Sequence, residues 1–213
     1  MTPKASREVR VPLTREKILA KAVELLDAEG VQGLSMRRLG DALGVEAMAL
    51  YYHFPNKDAI LDGVVGRLVE QTQPQPPPAD ADWKTTARVG IDAVRRTLES
   101  HPKAAPLFLG RQYNTAASLA WLEAPLAILH SAGFRGQALV DATHAMLAYV
   151  AGWFSLAAGE GGSWSGPAEE ALAAAPDAAP LAASLAPELR DWTRGFDEGL
   201  AALLDGLEAR FEG

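Results

Sequence analysis

Residues 35–57, SMRRLGDALGVEAMALYYHFPNK, constrain the fold of this chain more than any other stretch. Ser35 stands at an N-cap position ahead of Met36, Leu39 and Leu43, which fall at helical spacing. Gly44 interrupts the run, as a residue free to take a left-handed turn. Val45, Leu50 and Phe54 then give a second short helix an inward face, and Pro55 breaks it. Two short amphipathic helices around a Gly-centred turn make a helix-turn-helix, and here the second ends in hydroxyl, imidazole and amine groups.

Helical periodicity continues on both sides. Residues 14–29 set Ile18, Leu19, Ala22, Val23, Leu25 and Leu26 on one stripe, with Thr14 as N-cap and Gly30 as stop. Asn56 caps a fourth helix with Ile60, Leu61, Val64 and Leu68 facing the core. The run QTQPQPPPADAD, residues 71–82, is too proline-rich to continue it and reads as a semi-rigid connection. Further helices are predicted over 83–100, 115–132 with Pro125 as a kink, 137–158 and about 188–211. A short helix or turn is expected at 101–110, and residues 159–187 read as a loop holding one short helix. No strand-like alternation and no repeat occurs, so the fold class is all-α. Three segments result: an N-terminal arm with a three-helix DNA-binding head (1–56), a connecting helix and linker (57–82), and a larger helical domain (83–213), to which the resemblance given below assigns ligand binding and dimerisation.

The net charge of −7 argues at first against a nucleic-acid partner, but the charge is unevenly spread. Residues 1–60 carry nine Lys/Arg against eight Asp/Glu, whereas the remainder carries eleven against nineteen. Lys4, Arg7 and Arg10 form a short basic arm. Phosphate contacts are local and salt-screened, so such a head is compatible with DNA binding. The chain has no cysteine, which removes disulfides and thiolate zinc sites. Its N-terminus lacks the apolar run of a signal peptide and no stretch is long enough to span a bilayer, so a cytoplasmic protein with no membrane partner is expected.

A reading helix must bring the residues of its N-terminal turn to base edges while flanking groups hold phosphates. The second of the two helices opens on Glu46, Ala47, Met48 and Ala49, and Tyr51, Tyr52, His53 and Lys57 follow with donors for phosphate oxygens. Arg37 and Arg38 lie in the first turn of the preceding helix, where one could reach a guanine edge bidentately. Phe54 reads as packing between the small helices, and the same packing role is the alternative for Tyr51 and Tyr52.

These residues resemble the N-terminal domain of the TetR family of transcriptional regulators. The similarity runs without a gap over LTREKILAKAVELLDAEGVQGLSMRRLGDALGVEAMALYYHFPNKDAILDGVV, including the turn Leu43-Gly44-Val45 and an L-Y-x-H-F-x-x-K signature at residues 50–57. The resemblance implies a homodimer with two DNA-binding heads on a double-stranded operator, and a body that takes a small organic effector. It assigns Arg37 to base or phosphate contact, Ala47, Met48 and Ala49 to the base-facing surface, and Tyr51, His53 and Lys57 to the backbone. Apolar side chains at three adjacent base-facing positions touch thymine methyls but donate no hydrogen bond, so polar readout falls on Arg37. A helical receptor or partner-binding protein that has lost specific DNA binding is the alternative.

The body is similar, more weakly, to the C-terminal domain of the tetracycline repressor subgroup, through FLGRQYNTAASLAWLEAPLAILHSAGF and GFDEGLAALLDGLEARF. In that layout the helix at 137–158 and the last helix pair with their copies, and the last helix sets Phe196, Leu200, Leu203, Leu204 and Leu207 on one apolar stripe expected to form a dimer interface. The magnesium–tetracycline chelate of that subgroup is not expected. Gln73, Gly90, Val94, Phe108 and Pro125 align with several of its contact positions, and Phe108 cannot ligate magnesium. Candidate pocket residues are Phe108, Arg111, Gln112, Trp121, His144 and Trp153, with a hydrogen-bonded core role preferred for His144. Asp141 and His144 lie three apart on one helix, but no third catalytic partner accompanies them; neither an enzyme nor a cofactor is expected.

Overall fold

The computed structural model describes residues 12–72, 74–111, 116–157, 167–189 and 192–211, and among them there are helices and turns but no strand. Contacts divide the chain into two compact units, Met1–Val64 and Val65–Gly213. The first holds α1 (Arg15–Gly33), α2 (Met36–Leu43), α3 (Ala47–Tyr51) and the opening turns of α4 (Lys57–Gln71).

Local chemistry sets the ends of these helices. The Thr14 side chain accepts from the Lys17 amide at 3.3 Å, Ser35 Oγ from the Arg38 amide at 3.2 Å, and Asn56 Oδ1 from the Ala59 amide at 2.8 Å. Gly44 ends α2 in the left-handed region, with φ 67°. Gly30 takes φ 70° and ψ −175° within α1, so it breaks the helix as its sequence position predicts, and one further turn runs on to Gly33. Ile18, Leu26, Leu39, Leu50, Phe54 and Val64 are fully buried, which gives each of the four helical segments an anchor in one small core.

The second unit contains the rest of α4, then α5 (Trp83–Ser100), α6 (Ala105–Arg111), α7 (Ala116–Ser131), α8 (Gly136–Ala157), α9 (Pro167–Ala174), α10 (Pro180–Ser184), α11 (Ala186–Leu189) and α12 (Trp192–Phe211). Helix α8 is central and touches α5, α6, α7 and α12. Pro125 lies inside α7, and Gly133 turns the chain out of it at φ 105°. Lys84 on α5 reaches both Asp205 (3.0 Å) and Glu208 (2.6 Å) on α12.

One expectation needs correction. The segment 159–187 is more helical than read from its Gly, Ala and Pro content, since it carries α9, a 3-10 turn at Pro176–Ala178, α10 and the start of α11. Pro180 stands at the first position of α10, where a missing N–H costs nothing, and the alanines of α9 and α10 favour helix. The last predicted helix, about 188–211, corresponds to α11 and α12, and residues 190–191 between them lie outside the described residues.

Candidate functional site

In the first unit, α2 and α3 cross at close range around Gly40. A β-carbon there would lie 2.9 Å from the Val45 carbonyl oxygen and 3.1 Å from the Ala47 amide nitrogen. The turn between them is closed by the Gly44 amide on the Asp41 carbonyl (3.2 Å) and the Val45 amide on the Gly40 carbonyl (3.0 Å). Leu50 is buried beneath α3, which leaves the opposite face outward. On that face Met48 is 64% exposed, Tyr51 45% and Tyr52 87%, values that a core role for these side chains would not allow. Glu46 is exposed beside them, and Ala47, Ala49 and His53 are half-buried.

The cations around this face differ in their engagement. Arg37 and Arg38 are both exposed, but Arg38 Nη2 pairs with Glu29 Oε1 whereas Arg37 has no ion-pair partner among the described residues. Lys57 Nζ donates to the Val31 carbonyl at 3.0 Å, which ties the start of α4 to the last turn of α1. Ser35, expected to meet DNA, is exposed and caps α2. One contributor was missed from sequence. Arg15 stacks its guanidinium 4.0 Å above the Phe54 ring and donates from Nη1 to the His53 carbonyl. It pins the segment that carries Tyr51, Tyr52 and His53, and only a cation 38 residues upstream of it marks this in sequence. Glu16 sits beside Arg15 in the first turn of α1. The free amides there and the Thr14 hydroxyl hold its carboxyl below the usual range, with a smaller contribution from Arg15 and His53.

The second unit holds an apolar, partly open cavity of about 200 Å³. Gly90, Ile91 and Val94 of α5 form one wall, Trp121, Pro125 and Ile128 of α7 another, and Met146, Leu147 and Val150 of α8 a third. Thr72 at the end of α4 brings a hydroxyl, which donates to the Leu68 carbonyl (2.9 Å) and lies 3.0 Å from Thr97 Oγ1. Of the six candidate pocket residues, Trp121 lines this space. Phe108 is fully buried and packs edge-to-face on Trp121 at 5.4 Å, so it supports the wall. Trp153 stacks on Tyr149 and meets Phe196 edge-on, in the packing of α8 on α12. Arg111 is half-buried and stands apart from the lining; Gln112 falls outside the described residues. His144 is exposed, which corrects the core role preferred for it: it lies on the outer side of α8 while Met146, Leu147 and Val150 turn inward. Three aligned positions of the tetracycline repressor subgroup, Gly90, Val94 and Pro125, do line the cavity; Gln73 lies outside the described residues.

The apolar stripe of α12 divides. Phe196, Leu200 and Leu204 are buried in this chain's own core, where Phe196 meets Tyr149, Trp153 and Phe154, and so they are not available to a partner. Leu203 and Leu207 remain half-buried. Sequence periodicity finds the stripe, but a broad stripe holds residues of both kinds. Tyr149 Oη donates to the Phe196 carbonyl at 2.7 Å, and burial, followed by the Asp197 charge, raises its pKa above the ordinary value. No described helix is long and apolar enough to cross a membrane.

Comparison with known proteins gives these geometries a context. Residues 18–64 match the model of bacterial regulatory proteins of the tetR family, and residues 75–211 match that of the tetracyclin repressor-like C-terminal domain. An HTH-type transcriptional regulator of Saccharopolyspora erythraea is 33% identical over 97% of this chain and 89% of its own length. A possible TetR family transcriptional regulator from Streptomyces coelicolor A3(2) has a similar structure, with a TM-score of 0.79 and 29% identity over 92% of this chain and 99% of that one. The TetR family protein ActR of Streptomyces coelicolor, in complex with actinorhodin, superposes with a TM-score of 0.76 and 25% identity, covering 93% of this chain and 97% of that one. With a helix-turn-helix head and a matching body, the chain belongs to the tetR family of bacterial regulatory proteins.

Proposed function

We propose that this chain is a transcriptional repressor that holds a pseudo-palindromic operator as a homodimer and releases it when a small organic molecule occupies the body. The observation that carries the reading is the outward face of α3, where Met48, Tyr51 and Tyr52 are exposed on a helix anchored from beneath by Leu50. Exposed large apolar and aromatic groups on a small domain mark a binding surface. Placed in the major groove, Ala47, Met48 and Ala49 meet thymine methyls, Arg37 supplies bidentate readout of guanine, and Tyr51, Tyr52, His53 and Lys57 face phosphates. Ser35, Arg38 and Glu46 border the same surface. Sequence-dependent DNA shape adds selectivity where few donors reach base edges.

Two half-sites require two heads. For pairing we assign the outer side of α8, where Val140, Ala148, Gly152 and Leu156 are exposed, together with Leu203 and Leu207 of α12. Small residues on such a face let helices approach closely, and α8 and α12 already pack on each other. The protein acts on DNA in the cytoplasm and has no catalytic role in this reading.

Selection of DNA from a random pool with the purified protein tests the assignment. A single enriched palindromic motif, bound with a steep decline between low and physiological salt, is the expected result. Weak, sequence-blind binding would instead favour a helical receptor without operator recognition.

A further inference from the structure

We infer that the cavity selects an uncharged, mainly apolar compound of about two fused rings, bound without a metal ion, and that Gly90 sets its size limit. This rests on the effector reading above and names the chemistry of that site. Among the described residues the lining has no ionisable side chain, so a buried anion or cation would have no partner among them and would lose its hydration without compensation. Magnesium takes oxygen ligands, and no three or more His, Asp or Glu side chains converge as metal ligands among the described residues. The Thr72 hydroxyl already donates within the protein, which leaves its oxygen as an acceptor for one ligand O–H or N–H. Trp121, held edge-on by Phe108, offers an aromatic surface. A void on the order of 150 Å³ holds a benzene ring, so about 200 Å³ has room for a somewhat larger one.

Gly90 lies in the interior of α5, where glycine is less favourable than alanine. Packing does not demand it: a β-carbon there would meet nothing within 4 Å, and φ is not in the left-handed region. The absent side chain is therefore part of the cavity.

Calorimetric titration of the purified full-length chain with 2-naphthol, and with 2-naphthoate as its anionic counterpart, tests this. We expect 2-naphthol to bind at least about tenfold more tightly than 2-naphthoate, because the carboxylate must be buried unpaired. Its affinity should be equal in EDTA and in excess Mg²⁺. Gly90→Leu should weaken binding by about tenfold or more by filling the space, with the melting temperature unchanged or raised, and Gly90→Ala should weaken it less. The inference is overturned by naphthoate binding as tightly, by a requirement for Mg²⁺, by no detectable binding of 2-naphthol, or by parental affinity in Gly90→Leu. Should the leucine variant fail to fold, parental affinity in Gly90→Ala overturns the size limit. Operator binding is measured separately without 2-naphthol: its loss alone overturns the regulator reading, whereas loss of 2-naphthol binding alone overturns this one.

Discussion

A methyl group on Gly40 would meet the carbonyl oxygen of Val45 at 2.9 Å, so α2 and the turn into α3 approach at backbone distance. Gly40→Ala must push the two helices apart, and overpacking of this kind costs about 1–3 kcal/mol. The variant should unfold its head at lower urea concentration and bind operator weakly. Ser35→Ala removes an N-cap with a cost of about 1 kcal/mol and serves as a milder comparison. Chemical denaturation followed by circular dichroism checks both, and an unchanged midpoint for Gly40→Ala would contradict the close crossing.

Arg15 joins the start of α1 to the segment after α3 through the Phe54 ring and the His53 carbonyl. Replacement by methionine keeps the aliphatic stem but removes the charge and the donor. A cation–π contact at a partly exposed site contributes about 0.5–1 kcal/mol, and the lost hydrogen bond adds a similar amount. Operator affinity should fall although Arg15 is not assigned to DNA. Amide exchange at His53 and Phe54 should accelerate in Arg15→Met, which a purely electrostatic effect on DNA would not produce.

Arg37 and Arg38 separate readout from attraction. Arg37→Ala should lose about 1–3 kcal/mol of discrimination between operator and scrambled DNA, the contribution of one bidentate base contact. Arg38 is paired with Glu29, so Arg38→Ala should change affinity less and leave discrimination intact. Fluorescence anisotropy on both DNAs measures the ratio directly. Full discrimination in Arg37→Ala would exclude its role as the polar reader.

Tyr149 and Gly199 form a lock between α8 and α12. A β-carbon on Gly199 would lie 2.5 Å from Tyr149 Oη, the atom that donates to the Phe196 carbonyl. Tyr149→Phe should cost about 0.5–1.5 kcal/mol for the hydrogen bond alone. Gly199→Ala should cost more, because the ring must move as well as release its partner. In the double variant the two losses should not add, which a thermodynamic cycle on thermal melts would show.

Acid and alkali should act on two different groups at the start of α5. Asp82 caps that helix, and the Thr85 amide lowers its pKa from the ordinary 3.8. A depressed folded pKa gives stability that is complete above about 3.8 and lost as pH falls through the lower folded value. Lys84 behaves oppositely: its bonds to Glu208 and Asp205 raise its pKa above the ordinary 10.5. That contribution is complete below the ordinary value and is lost only as pH rises through the higher folded one. Asp82→Asn should flatten the acid limb of a stability–pH profile, and Lys84→Met the alkaline limb.

The residues that were legible in sequence are those whose role is local. Thr14, Ser35 and Asn56 cap helices because their own side chains reach amides three residues on, and Gly44 turns the chain by its own backbone freedom. Gly90 was placed only by the family resemblance and not by its local pattern, while Gly40 and Arg15 escaped because each acts beyond its own helix, on a crossing helix and on a ring 39 positions away. The direction of the α12 stripe was hidden for the same reason. Periodicity places Phe196, Leu200 and Leu204 on one side of a helix without saying whether that side meets its own chain or another.

Phe196, Leu200 and Leu204 are buried within a single subunit, so this side of α12 does not depend on a partner for its burial. Pairing then becomes a separate equilibrium governed by how many copies the cell holds. Below the dimer dissociation constant, occupancy of a two-fold operator rises with the square of subunit concentration, so halving expression would relieve promoter control by more than half.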